Sequence, residues 1–338
     1  GNDIGDINND GLLDFISLDM VSNNNYDLKT NMSGIDPNRF NDLVDVVLHH
    51  QYMFNALQLN NGHSSGTDIP QFSEIAKYAG IAHTNWSWAP LLFDMNNDGL
   101  QDLFVSNGIV RSFRNNDFVA YKRKRVEELY KTLEQSQHKD SLIKKYYEDL
   151  LAVMPEKKEI NLLYLNNGDF TFSAMNEDWN LTTPTCTNGA AYADLDNDGD
   201  LDIIGNNIND AAFVYRNNSS ELKPKKSSYI KIKLKGPKGN TVGIGSRVTI
   251  ETDSVKQAKE LYVSRGFQSS VSEILHFGLG STPSIQKLSI VWPDGKSQTL
   301  RGLNVNQQMT LNYNEATERN IEDAANEKKI FTTIGEID

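Results

Sequence analysis

Three nine-residue stretches carry the residue types best suited to chemistry. They are Asp6-Ile7-Asn8-Asn9-Asp10-Gly11-Leu12-Leu13-Asp14, Asp94-Met95-Asn96-Asn97-Asp98-Gly99-Leu100-Gln101-Asp102 and Asp194-Leu195-Asp196-Asn197-Asp198-Gly199-Asp200-Leu201-Asp202. Each places an oxygen-bearing side chain at positions 1, 3, 5 and 9 and a glycine at position 6. A hard cation such as Ca²⁺ takes six to eight oxygen ligands, and this spacing lets one short loop supply them. The side chains at 1, 3 and 5 curl around the ion. The glycine permits the tight turn that returns the position 7 carbonyl and the position 9 carboxylate to it. The candidate metal ligands are therefore Asp6, Asn8, Asp10, Leu12 and Asp14; Asp94, Asn96, Asp98, Leu100 and Asp102; and Asp194, Asp196, Asp198, Asp200 and Asp202. So many carboxylates in so few residues repel one another unless a counter-ion is present, and up to three structural Ca²⁺ ions are expected.

The elements around these loops are not those of an EF-hand, which needs a glutamate at position 12 between two helices. Position 12 here is Ser17, Val105 and Gly205. The loops run instead into short apolar, strand-like segments, Phe15-Ile16, Leu103-Phe104-Val105 and Ile203-Ile204. The repeat extends further. A small residue sits five positions before each first Asp: Gly1, Ala89 and Gly189. Downstream come Asn55 to Gly62, Asn161 to Gly168 and Phe213 to Asn218, alternating strands that end in Asn-Asn. Each unit reads as several short antiparallel strands with one metal turn, the pattern of a β-propeller blade. Residues 116–155 switch to helical periodicity. Val126, Leu129, Tyr130 and Leu133 mark one face, and Ile143, Tyr147, Leu150, Leu151 and Met154 a second, so a helical hairpin is expected inside a blade. Residues 23–50 form another insertion, with a short helix expected over 40–50.

Composition limits the partners. The net charge of -12 over 338 residues argues against nucleic acid, because phosphate binding needs a basic face. The run Lys122-Arg123-Lys124-Arg125 is followed by Glu127 and Glu128 and reads as a solvated helix face. One cysteine, Cys186, has no second thiol in the chain and reads as a small buried side chain. No run of 18 apolar residues is present, so no transmembrane segment is expected. None of the six histidines has metal-site spacing with a glutamate, and His276 reads as structural. No nucleophile elbow or phosphate loop appears. Trp86 and Trp88 read as packing between blades, and Trp179 as exposed.

At Lys223-Pro224-Lys225-Lys226 the composition shifts. Residues 1–225 are assigned to propeller blades. Residues 227–314 lack a metal loop, alternate in Tyr229 to Leu234 and Leu288 to Trp292, and read as a small all-β sandwich or barrel. Residues 315–338 read as a linker and the start of a further segment. The chain opens inside a repeat, so an interior segment of a longer protein is expected.

The three acidic loops with their flanks resemble the FG-GAP/VCBS repeats of integrin-α-like propellers. Four ordered motifs resemble an ASPIC/UnbV domain: Gly243-Ile244-Gly245-Ser246-Arg247-Val248, Ser264-Arg265-Gly266-Phe267-Gln268-Ser269-Ser270, His276-Phe277-Gly278-Leu279-Gly280 and Val291-Trp292-Pro293-Asp294-Gly295. The pairing is similar to that of CRTAC1-like proteins and of bacterial VCBS-repeat surface lipoproteins. The resemblance implies an all-β fold, Ca²⁺ as the bound ion and an extracellular or outer-membrane surface location. It also implies a protein partner such as a TonB-dependent transporter of the SusC/SusD type, with a glycan as a further ligand. It transfers no catalytic residue. A calcium-stabilised binding or scaffold module is the leading reading, and a carbohydrate-active lyase or hydrolase on a calcium-bearing propeller is the alternative.

Overall fold

Alternating apolar residues bounded by Asn-Gly and Asp-Gly turns fold as short antiparallel strands, and a computed structural model of the chain has this architecture. It describes residues 1–31, 41, 42, 44–46, 52–64, 69–253 and 255–318. Most of the helix expected over 40–50, and the segment 319–338, lie outside the described residues.

The first blade orders its strands Asn2–Gly5, Asp14–Ser17, Ala56–His63 and Pro70–Glu74. The second repeats this with Asn85–Phe93, Asp102–Asn107, Leu162–Asn166 and Phe172–Ala174, and adds Met20–Val21 as a fifth strand beside Asn85–Phe93. The third has three strands, Thr187–Ala193, Asp202–Asn207 and Phe213–Tyr215. All pairings within the blades are antiparallel. The inner strands of the three blades lie side by side. The first interface is filled by Ile16, Leu57, Ile81, Leu103 and Val105, and the second by Leu91, Phe93, Phe104, Leu163 and Ile203. The chain is thus all-β, with few helices.

The inserted hairpin is formed by helices Asn116–Gln135 and Lys139–Val153, between two strands of the second blade. Asn115 caps the first helix, its side-chain oxygen accepting from the amides of Asp117 and Phe118 at 3.1 Å each. Arg125 bridges Glu128 and Asp149, while Lys122, Arg123 and Lys124 stay in solvent. The buried stripe is Phe118, Tyr146 and Leu150, with Val126, Leu129 and Met154 against it. Tyr130, Ile143, Tyr147 and Leu151, expected on the packed faces, are exposed. Two helices alone bury only a narrow seam, and the neighbours of Tyr146 and Leu150 fall outside it.

After the short helix Ser219–Leu222, strand Ser228–Lys235 opens the C-terminal unit. Two sheets share one core, which makes it a sandwich. The first contains Ile274–Gly280, Ser228–Lys235 and Gln307–Asn312; the second contains Lys256–Glu260, Arg247–Glu251, Ser284–Val291 and Ser297–Asn304. Ile230, Ile232, Val248, Phe277, Leu288, Ile290 and Trp292 fill the space between them.

A hairpin of this sandwich, Ser264–Arg265 paired with Ser269–Ser270, meets the inner strands of all three blades. This explains the small residues five positions before each loop. The Trp88 carbonyl stands closest to where a side chain on Gly1 would start, with the Gly266 carbonyl 2.9 Å from that point, and the Ala89 methyl fills the space beside Gly266. Ser269 Oγ lies 2.7 Å from the corresponding point on Gly189. Trp88 packs on Phe267 with ring centroids 5.0 Å apart. Trp86 packs on Phe113, and Trp179 is half-buried beside the second interface, not exposed, because its segment folds back over the blades.

Candidate metal centre

Each acidic loop leaves an inner strand and returns in the next. Its position 9 aspartate pairs across the ladder with the residue before position 1: Asp14 with Gly5, Asp102 with Phe93, and Asp202 with Ala193. Position 4 is left-handed in all three loops, with φ of 58° at Asn9, 60° at Asn97 and 65° at Asn197. So is position 6, with φ of 87°, 94° and 97° at Gly11, Gly99 and Gly199. Asn and Gly are the residues that adopt this backbone at low cost.

The resulting turn aims backbone amides at the carboxylates. The position 6 amide donates to the first aspartate at 2.9 Å (Gly11 to Asp6), 2.8 Å (Gly99 to Asp94) and 3.2 Å (Gly199 to Asp194). The position 5 amide donates to the side-chain oxygen at position 3 at 3.2, 3.1 and 3.3 Å (Asn8, Asn96 and Asp196). Asp10, Asp98 and Asp198 each accept from the position 7 amide, that of Leu12, Leu100 or Asp200.

Position 9 sits behind the loop with both oxygens engaged. Asp14 accepts from Ile7 and Asn60 at 2.9 and 2.8 Å, Asp102 from Met95 and Asn166 at 2.9 Å each, and Asp202 from Leu195 and Asn217 at 2.9 and 2.8 Å. The Asn-Asn strand ends recur with the acidic loops because their first Asn closes the loop from this side.

The loops are also tied to one another. The Asn9 amide donates to the Gly99 carbonyl at 2.9 Å, and the Asn97 amide to the Gly199 carbonyl at 3.0 Å. Position 4 of one loop therefore reads position 6 of the next.

Electrostatics separate the third loop from the first two. Burial, with repulsion from Asp10, pushes Asp6 and Asp14 up to about 6. Burial, then Asp98, raises Asp94, and burial, then Asp94, raises Asp102. These groups resist carrying charge together, the condition a divalent cation relieves. In the third loop, protein cations are already present. Arg216 donates from Nε to Asp196 at 2.6 Å and from Nη2 to Asp198 at 3.2 Å, holding Asp196 below the usual carboxylate range. Lys231 Nζ donates to Asp194 Oδ2 at 2.6 Å, with both side chains nearly buried. Asp200 accepts from the amide and hydroxyl of Ser220, and burial raises it to about 6.

The fit to a cation can be judged from the donor atoms. Asp194, Asp196 and Asp198 each present a carboxylate oxygen within 4.8 Å of the others. Asp194 Oδ1 has no hydrogen-bond partner among the described residues, although its side chain is only 5 % exposed. A buried carboxylate with one oxygen lacking a donor, next to two more carboxylates, suits a hard divalent ion.

Residues 147–205 match the family model of the FG-GAP-like repeat, and residues 236–318 match that of ASPIC and UnbV. The chain contains an FG-GAP-like repeat and an ASPIC/UnbV domain. The first match includes the whole third loop; the second covers most of the C-terminal sandwich. No curated protein matched the chain in a sequence search.

The ASPIC/UnbV domain lines the back of all three loops, which the sequence reading missed. Arg247 donates to the Gly11 carbonyl of the first loop. At the second, Gly278 leaves no room for a side chain beside Asp94, and the Gly280 amide donates to the Asn97 carbonyl at 2.7 Å. Lys259 is half-buried near Asp94, its pKa depressed by loss of solvent, and donates to the His276 carbonyl at 2.7 Å. At the third, Lys231 meets Asp194 and His276 Nε2 donates to the Gly199 carbonyl at 3.0 Å. Burial holds His276 neutral, with its pKa lowered to about 4. Further along, Arg265 forms a buried ion pair with Asp3 at 2.8 Å, and Asp3 accepts from the Leu92 amide of the second blade.

One signal for Arg216 was legible. It stands where the other repeats have Leu59 and Leu165, just before the Asn-Asn pair, and Asp196 stands where they have Asn8 and Asn96. The two changes compensate each other. Lys231 left no such signal, because it lies in an alternating strand whose polar face reads as solvent-exposed.

Proposed function

We propose that the chain is a calcium-stabilised binding or scaffold module, working at the cell exterior as an accessory surface lipoprotein of an outer-membrane nutrient-uptake complex. The observation that carries this reading is the equivalence of the three loops. They share backbone signs and a position 9 staple, two Asn-to-Gly ties join them in series, and in the third the Asp194, Asp196 and Asp198 carboxylates converge within 4.8 Å. FG-GAP-like repeats with an ASPIC/UnbV domain support a propeller-like binding module.

Ca²⁺ would be held by the side chains at positions 1, 3 and 5, the position 7 carbonyl and the position 9 carboxylate, each oxygen of which accepts one amide and keeps a further lone pair. It would supply charge neutralisation and rigidity. Position 9 keeps the loop closed behind it. Loops of this charge suit the calcium concentrations found outside cells, where modules with sub-millimolar to millimolar Kd are filled. The exposed row Ile143, Tyr147 and Leu151 on the helical hairpin, with Tyr130 nearby, offers apolar area of the kind a protein partner covers.

The partner reading is tested by purifying the tagged protein from membranes in calcium and then in chelator. Calcium-dependent recovery of an outer-membrane barrel protein is expected, together with its loss in Tyr147→Glu/Leu151→Glu. Recovery of no membrane protein in either buffer would remove the uptake-complex reading.

A further inference from the structure

In the first two loops the cage is charged by three aspartates: Asp6, Asp10 and Asp14, then Asp94, Asp98 and Asp102. The third loop has five: Asp194, Asp196, Asp198, Asp200 and Asp202. It also has two cations in direct ion pairs with its carboxylates, Arg216 and Lys231. The two cations offset part of this added charge, with Glu221 sharing the Arg216 guanidinium at 2.6 Å.

The geometry shows how. In the first two loops the position 3 Asn amide donates to the position 5 aspartate at 2.9 Å. Asp196 cannot donate, and the Arg216 guanidinium spans positions 3 and 5 instead. Lys231 reaches position 1 from the other side. The two cations differ in freedom. The Arg216 side chain is 51 % exposed and can swing into solvent, whereas the Lys231 side chain is 8 % exposed and fixed in strand Ser228–Lys235 of the ASPIC/UnbV domain.

We propose that Lys231 and Arg216 are built-in counter-cations of the third loop, so that a divalent ion must compete with the Lys231 ammonium for Asp194. This makes the third loop the low-affinity site of the three and links its occupancy to the seating of the ASPIC/UnbV domain. The inference rests on the calcium reading above and goes beyond it in ranking the sites. Asp194 is where the competition falls. Its Oδ2 accepts from Lys231 and the Gly199 amide, its buried Oδ1 has no donor among the described residues, and the carboxylate lies within 4.8 Å of those of Asp196 and Asp198. A like charge a few ångströms from an ion disfavours that ion, and the linkage is reciprocal: calcium in the loop weakens the Lys231–Asp194 pair by the same factor that Lys231 weakens calcium.

The test is calorimetric titration of the calcium-stripped full chain with CaCl₂. The wild type should show two tighter sites and one weaker, and Asp198→Ala should remove the weaker. Lys231→Met keeps the buried stem and removes the charge; it should tighten the weak site about tenfold or more. Lys231→Arg should leave it weak. Arg216→Leu, a surface change that carries the test if Lys231→Met does not fold, should tighten the weak site about threefold, less because a mobile guanidinium is the weaker competitor. Two filled sites with a third that Lys231→Met weakens or leaves unchanged would overturn this inference and leave the calcium reading intact. A wild type that takes up no calcium overturns both.

Discussion

At position 3, the first two loops use an asparagine whose amide is both spacer and donor, and at position 7 a leucine that contributes only its backbone. The third loop puts aspartate at both positions, with Arg216 holding Asp196 and Ser220 holding Asp200, while Lys231 pairs with Asp194 at position 1. The first pair is buried: Asp6, Asp14, Asp94 and Asp102 are each at most 1 % exposed, and their charge has nowhere to go without an ion. The third buries Asp200 and Asp202 nearly as deeply, but its charge is already partly neutralised by Arg216 and Lys231. One backbone template therefore supports two ways of settling the same repulsion. The template is set by Asn and Gly at fixed φ; the charge solution is set by which residue stands before the Asn-Asn pair.

The comparison is broken most forcefully by removing calcium. At free calcium about 100-fold above Kd, each filled site adds about 2.7 kcal/mol to the stability of the folded chain. Chelation should therefore lower the melting temperature by roughly 10 °C or more, since each 1 kcal/mol moves a unit of this size by a few degrees. The pH dependence should change sign with it. Asp6 and Asp14 have folded pKa values raised from 3.8 to about 6, so the metal-free folded chain holds protons more tightly than the unfolded one. Its stability should then fall as pH rises from about 4 through about 6. With saturating calcium, which binds the deprotonated form, stability over that window should rise or stay level. Melting curves at pH 5 and pH 7.5 in both buffers check this.

Next in size is Asp102→Ala. It strips the acceptors from two backbone amides at a fully buried site and should cost about 3 kcal/mol even in chelator, measured by urea denaturation. The corresponding loss at Asp202 should be similar, because position 9 is the part of the template the loops share.

Smaller again is Asn97→Ala, which cuts the tie from the second loop to Gly199. A loss of about 1 kcal/mol is expected, with the third loop's amides exchanging faster while those of the first loop do not change. The smallest effect should come from the double change Asp196→Asn/Arg216→Leu, which rewrites the third loop in the pattern of the first two. It should leave the urea midpoint unchanged within error, because the pairs it removes are largely exposed. A large loss there would mean that the third loop's charge pairs hold the fold and are not an exchangeable solution.

Much of the blade architecture was legible because it is written in short-range terms. Alternation gives the strands, Asn-Gly the turns, and the spacing of acids around Gly11, Gly99 and Gly199 the loops. Gly1, Ala89 and Gly189 were visible as a recurring feature, but their reason was not: it is the close approach of the Trp88 carbonyl to Gly1 and of the turn from Gly266 to Ser269 to all three, a turn distant in sequence. Lys231, Lys259 and Arg247 were invisible for the same cause. Each sits on the polar side of an alternating strand, where a sequence reading assigns water, and only the docking of the sandwich replaces that water with another segment's carboxylates and carbonyls. The helical hairpin shows the limit at close range, where Tyr146 and Tyr147 are adjacent and only packing decides which one faces inward.

The central claim is that each acidic loop holds one divalent ion. Native mass spectrometry of the full chain across a calcium titration counts those ions directly. The account predicts a rise to three bound calcium ions per chain, two arriving before the third, and none in chelator. A chain whose mass stays that of the bare polypeptide at millimolar calcium would contradict it.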